Sequence, residues 1–185
     1  DRRQRQMCIR DRMEAVLSDL KTQISDSSED SDSSSPFDIF DDSRSMGSEI
    51  DDPDKDIVLD GNSYIGLISF PTLGQEFPVT RGWSYAAMNT AACQYSGRRV
   101  DNDLIICAHN YTGFFDKLDK LSSGDQVIFT DVYGREFNYT VTNSELLSGW
   151  DSPSLIKGGG SDWDLTLFTC TWSGYSRVTV RLVYS

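Results

Sequence analysis

Histidine occurs once in the 185 residues, at position 109. A centre built on two or more imidazoles is therefore excluded, and any thiol chemistry assisted by histidine must use His109. Cations are also scarce. Seventeen Lys and Arg stand against 29 Asp and Glu, a net charge of −12, which argues against nucleic acid as a partner. No apolar run reaches the length of a membrane-spanning helix. There is no C-x-x-C pair of the kind that builds small zinc sites, and no internal repeat.

The first residues stand apart from the rest. Arg2-Arg3-Gln4-Arg5-Gln6-Met7-Cys8-Ile9-Arg10-Asp11 resembles, in frame, a translated sequencing-library adapter. Residues 1–11 are accordingly read as an artefact and left out of fold reasoning. The native N-terminus is then expected to be missing, and a membrane anchor could have been lost with it. Residues 12–24 read as a short amphipathic helix, with Met13, Val16, Leu17, Leu20 and Ile24 on one face. Residues 25–56 are rich in Ser and Asp. Twelve acidic residues lie between Asp26 and Asp56, too polar a stretch to bury a core, so a disordered linker is expected.

From Ile57 onward the pattern is that of strands. Tyr64–Pro71 and Gln75–Val79 are strand-like runs around a Leu73-Gly74 turn, and Leu104–Ala108 is a buried run. Gln126–Thr130 and Glu136–Thr142 alternate as a hairpin around Tyr133-Gly134. Ser84–Ala92 is expected as a helix of small residues, and Phe114–Leu121 as a short helix with Phe114, Phe115, Leu118 and Leu121 inward. Asn143–Asp164 is expected as a long connection, with Pro153 opening a helical turn at residues 154–157. Many strands joined by short helices imply a mostly β fold over residues 57–185, a barrel or a sandwich.

The chemistry concentrates at the C-terminal end. Leu165–Trp172 reads as a buried strand carrying Cys170, and Arg177–Tyr184 as the next strand. A four-residue loop at 173–176 would pair Trp172 with Arg177 and set Cys170 opposite Thr179. Cys170 and Arg177 would then share a face as diagonal neighbours, because side chains alternate along a strand. A cation held beside a thiol favours the thiolate and can stabilise a negative oxygen formed next to it. Leaving out Cys8, three cysteines remain, Cys93, Cys107 and Cys170, so at least one thiol is unpaired. Cys107 lies in the buried run, and it and Cys93 are expected as small free thiols in place of a disulfide. His109 closes the same run, at a strand end where a barrel can present a polar group to a cleft. Arg181 falls on the same face as Arg177 but farther from Cys170, and is expected as a surface charge.

Thr166-Leu167-Phe168-Thr169-Cys170, followed seven residues later by Arg177, resembles the active-site strand pair of the sortases, cysteine transpeptidases of Gram-positive-type cell surfaces with a T-L-x-T-C motif. Ile65-Gly66-Leu67-Ile68-Ser69-Phe70-Pro71 is similar to their opening strand. Cys107-Ala108-His109 stands where they carry a G-H-x motif, with Ala108 in place of the Gly. The resemblance covers about residues 63–185. It implies an eight-stranded β-barrel and a catalytic set of His109, Cys170 and Arg177. Cys170 would be the nucleophile, His109 the acid and base, and Arg177 the oxyanion or substrate contact. It further implies a substrate protein with an LPxTG-like C-terminal sorting signal, a cell-wall or pilin amine as acceptor, and action at the outer face of the cell membrane.

Ala108 and Thr169 are expected to shape the groove, and Trp150, Ile156 and Trp163 of the long connection to contact the sorting signal. Asp52-Pro53-Asp54 lacks the aromatic of a pilin-type lid, and the long connection points towards the class B type. No cofactor or metal is expected. The alternatives are a zinc site on Cys107, His109 and Cys170, which lacks a fourth ligand, a cysteine peptidase that only hydrolyses, and a non-catalytic peptide-binding domain. The order His, Cys, Arg disfavours papain-like peptidases, which run Cys before His.

Overall fold

The computed structural model describes residues 2–29, 52–156, 162–171 and 173–185. Trp172, Lys157 and the acidic stretch 30–51 lie outside the described residues. Helix α1 (Arg2–Glu29) is followed by nine strands: β1 (Ile57–Leu59), β2 (Asn62–Phe70), β3 (Gln75–Thr80), β4 (Ala92–Ser96), β5 (Leu104–Cys107), β6 (Gln126–Asp131), β7 (Glu136–Ser148), β8 (Leu165–Cys170) and β9 (Ser176–Tyr184). The order β2-β3-β4-β5-β8-β9-β7-β6 closes on itself because β6 also pairs with β2. This is the eight-stranded barrel, with β1 added beside β2. Parallel pairing occurs at β3/β4 and β5/β8, and the other pairs are antiparallel.

Closure depends on Gly66. It pairs with both Val79 of β3 and Asp131 of β6. Its φ is +151°, and a Cβ there would lie 2.1 Å from the Thr130 carbonyl oxygen. Only a residue without a side chain lets the two backbones approach so closely.

Alternation sorts the side chains into two layers. Inside the barrel, Phe77 and Phe70 meet Phe115 edge to face, with ring centroids 5.5 Å apart in each case. The Phe115–Lys120 3-10 turn plugs that end, and Phe114, Phe115, Leu118 and Leu121 are all buried, as their spacing predicts. Outside, Cys93, Ile105, Cys107 and Phe168 form a second apolar layer, covered by Met88 and Leu155. The apolar face of α1 packs elsewhere. Val16, Leu20 and Ile24 lie on Tyr64, Leu67 and Ala91, and Lys21 pairs with Glu76.

Four local expectations change. Ser84–Ala92 makes only a 3-10 turn at Ala87–Asn89, and the chain then enters β4. Small residues there let the backbone cross between strands and have no apolar face to hold a helix. Strand β7 runs on to Ser148, so the long connection is residues 149–164. A register shift between Val141 and Asn143 breaks the alternation that would reveal the strand in sequence. Next, Ser176 already belongs to β9 and is not part of the β8–β9 loop. Thr171 N–H donates to the Ser176 carbonyl at 2.8 Å, Ser176 N–H to Thr171 Oγ1 at 3.3 Å, and Gly174 takes φ +75°. The hydroxyl of Thr171 and the glycine select this frame, so Cys170 faces Arg177 directly and Thr179 faces Phe168. Arg181 is the fourth change, described below.

Candidate active site

Cys170 and Arg177 lie on the neighbouring strands β8 and β9, and His109 follows the end of β5 on the other side of β8. Strand β5 runs parallel to β8 with Cys107 beside Phe168. The two strands stay joined one step further, where Ala108 N–H donates to the Phe168 carbonyl at 3.4 Å and Thr169 Oγ1 donates to the Ala108 carbonyl at 2.8 Å. Cys170 follows on the outer face, two residues beyond Phe168 in β8, and His109 lies two residues beyond Cys107, past the end of β5. On the far side of β8, Arg177 is the direct partner of Cys170. The expected diagonal contact is thus a closer, face-to-face pair.

The environments of these groups differ. Cys170 is exposed, whereas Cys93 and Cys107 are buried partners across β4 and β5, and both are free thiols. Burial pushes the Cys93 and Cys107 thiols up, so both are held in the neutral form. The reachable thiol of the barrel is Cys170. His109 is half-buried, its ring stacked on Tyr111 with centroids 4.6 Å apart. Burial pushes its imidazole pKa down. The Arg177 guanidinium lies 5.3 Å from the Phe168 ring centre, within cation–π range. Its Nη1 is enclosed and has no hydrogen-bond partner among the described residues. A buried guanidinium N–H without a partner is uncommon.

The residues expected to contact substrate divide. Ala108 and Thr169 are 1% and 2% exposed and point to the inner side of the barrel. They brace the ends of β5 and β8 through the hydrogen bonds just given, and offer no side-chain surface to the groove. Trp150 is 87% exposed. Ile156 and Trp163 line a cavity of about 560 Å³ together with Leu147, Glu145 and Arg181. A smaller cavity of about 240 Å³ opens between Asn110, Asp116, Thr169 and Thr171. Asp52-Pro53-Asp54 is held by Arg81, Arg98 and Tyr133 beyond the start of β5, whereas His109 stands beyond its end. Among the described residues, no three His, Cys, Asp or Glu side chains converge as a metal site requires.

Several neighbours of the site are not evident from sequence. Tyr95 packs on Phe168 with centroids 5.1 Å apart, and Leu155 is fully buried in the same layer. Arg181 is 2% exposed and makes four hydrogen bonds, the reverse of a surface charge. Sequence spacing places Arg181 on the Arg177/Thr179 face of the strand but does not show that other segments cover it.

A closed eight-stranded barrel of this strand order is the fold of one family. The sortase-domain family model matches residues 68–185, more than half of the chain, and the chain belongs to the sortase family. Among solved structures, sortase A from Corynebacterium diphtheriae has a TM-score of 0.60 at 24% identity, over 67% of this chain and 61% of that one. Sortase C1 from Streptococcus agalactiae matches with a TM-score of 0.60 at 24% identity, over 69% and 70%. A Clostridium perfringens sortase D5 transpeptidase matches with a TM-score of 0.57 at 22% identity, over 66% and 79%. The chain thus spans about three fifths of the length of the C. diphtheriae enzyme. A comparison with curated proteins gave no match.

Proposed function

We propose that this chain is a cysteine transpeptidase that cleaves an LPxTG-like sorting signal and transfers the cut protein to an amine. The observation that carries the reading is the direct pairing of the exposed Cys170 with Arg177, with His109 just past the end of the neighbouring strand β5. The Cys170 thiolate attacks the scissile carbonyl, and the carbonyl electron pair moves to oxygen. The accessible part of the Arg177 guanidinium donates to that oxyanion. As the intermediate collapses, the C–N bond breaks, and protonated His109 gives its proton to the leaving amine. A thioester on Cys170 remains. The acceptor amine attacks it, loses a proton to His109, and forms the new amide as the Cys170 thiolate departs.

Ala108 and Thr169 serve this chemistry by holding the ends of β5 and β8 in step. Trp150, Ile156 and Trp163 form the side of the groove that meets the sorting signal. The substrates are surface proteins with a C-terminal signal, the acceptor is a cell-wall or pilin amine, and the enzyme acts at the outer face of the membrane. No helix of the described residues is long and apolar enough to cross a membrane.

The test is mass spectrometry of the full chain incubated with LPxTG-like and NPxTN-like peptides, with and without triglycine. An acyl adduct on Cys170, released as a triglycine-ligated product and absent in Cys170→Ala and His109→Ala, is the expected result. Release as free acid only, whatever the triglycine concentration, would make the protein a hydrolase. No adduct on folded, reduced protein would leave a peptide-binding domain.

A further inference from the structure

Arg181 sits on the same outer face of β9 as Arg177, paired with Thr166, four register pairs away from Cys170. Its side chain is 3% exposed, yet the guanidinium is fully engaged. Nε donates to Glu145 Oε1 of β7 at 3.0 Å. Nη1 donates to Thr166 Oγ1 of β8 at 2.8 Å and to the Leu155 carbonyl at 3.1 Å. Nη2 donates to the Ser154 carbonyl. The Trp163 ring lies 4.3 Å from the guanidinium carbon.

These partners are not spread at random. Ser154, Leu155 and Trp163 all belong to the 149–164 connection, whereas Glu145 and Thr166 belong to the strands on either side of it. One planar cation therefore ties both limbs of the connection to the barrel. A planar fork with five N–H donors satisfies this many partners at fixed angles, and a lysine ammonium does not. Leu155, whose carbonyl is held, is fully buried in the layer that contains Phe168 and Cys107. Phe168 in turn is the ring under Arg177. The anchor thus reaches the groove floor through two contacts.

We propose that Arg181 is a positioning residue that holds Ser154, Leu155 and Trp163 of the β7–β8 connection against the barrel and so sets how tightly the enzyme binds its sorting signal. The proposal rests on the transpeptidase reading for its kinetic part only. Arg181 touches none of the reacting atoms, so its loss acts on substrate binding more than on the chemical step. Removing it leaves two main-chain carbonyls and Glu145 without their donor, and Leu155 loses the tie that keeps it on Phe168.

The test uses the full chain with Arg181→Met, Arg181→Lys and Glu145→Gln. Limited trypsin digestion read by mass spectrometry compares cleavage after Lys157 with cleavage after Lys120. In Arg181→Met the ratio rises about tenfold, because the connection loosens while the barrel stays closed. With Leu-Pro-Glu-Thr-Gly as probe and triglycine as acceptor, KM rises about tenfold and kcat changes less than about threefold. Arg181→Lys falls between, since it keeps the charge but not the fork, and Glu145→Gln shows the smallest change.

An unchanged ratio in Arg181→Met, or a loss confined to kcat, overturns the proposal. If Arg181→Met does not fold, Arg181→Lys and Glu145→Gln carry the comparison, and equal cleavage and KM in all folded forms overturns it. If no form turns over the peptide, the transpeptidase reading fails, and the trypsin ratio still decides whether Arg181 holds the connection.

Discussion

Arg177 and Arg181 lie four residues apart on one face of β9, and the protein treats them in opposite ways. Arg181 is shut away from solvent with a partner for every nitrogen. Arg177 is half-exposed, faces an exposed thiol, and keeps an enclosed nitrogen without a hydrogen-bond partner among the described residues. A buried cation is tolerated only when its hydrogen bonds are met within the fold. Where they are met, the residue organises structure. Where one is left unmet, as at Arg177, the residue is not committed to holding the fold. Satisfaction of donors, more than charge or exposure, separates the two roles.

The largest expected effect tests the site end of the strand. Cys170→Ala removes the nucleophile, and turnover falls by at least about 10⁴-fold in the peptide assay. Its circular dichroism matches the parent, because the thiol is exposed and holds nothing together.

The pair of arginines gives the next test. Arg177→Met lowers kcat by about 10²–10³-fold, the loss of one oxyanion donor, and changes unfolding free energy by less than about 0.5 kcal/mol. Arg181→Met costs about 3 kcal/mol in urea denaturation, because it strands a carboxylate and two carbonyls. If the two substitutions destabilise equally, the contrast between them is lost.

A milder probe trims the anchor from the β8 side. Thr166→Val removes one acceptor of Arg181 at nearly constant volume and costs about 1–2 kcal/mol. The same change leaves the alkylation rate of Cys170 by iodoacetamide as it was. A matching drop in that rate would mean that the anchor and the nucleophile are not separable.

The smallest effect concerns pH. Burial holds the His109 pKa below its unfolded value of about 6.5, so between the two values the unfolded chain binds more protons than the folded one. Stability therefore rises with pH through that window, is complete above about 6.5, and is lost on acidification. As the chain has a single histidine, one imidazole NMR signal reports the folded midpoint, which should lie below 6.5. A midpoint above that value would mean that a negative neighbour, and not desolvation, governs the ring.

Much of the barrel was legible along the chain because period-two alternation survives wherever one side of a strand faces the core. Phe114, Phe115, Leu118 and Leu121 were readable as the plug for a similar reason, since their spacing leaves no other face to bury. Two things hid the rest. The shift near Thr142 broke the alternation, so the outer half of β7 read as loop. Arg181 read as a surface charge because sequence spacing assigns a face but not what covers it.

By itself the sequence determined that a thiol, one imidazole and an arginine would come from strand ends. Residue type, count and alternation are local properties, and there is no second histidine to choose. Tertiary structure alone decided that Cys170 faces Arg177 directly, through a loop frame selected by Thr171 and Gly174. It also decided that Arg181 is buried, because Ser154, Leu155 and Trp163 pack against it. Both outcomes depend on which hydrogen bonds are met in three dimensions, and that depends on segments far apart in the chain.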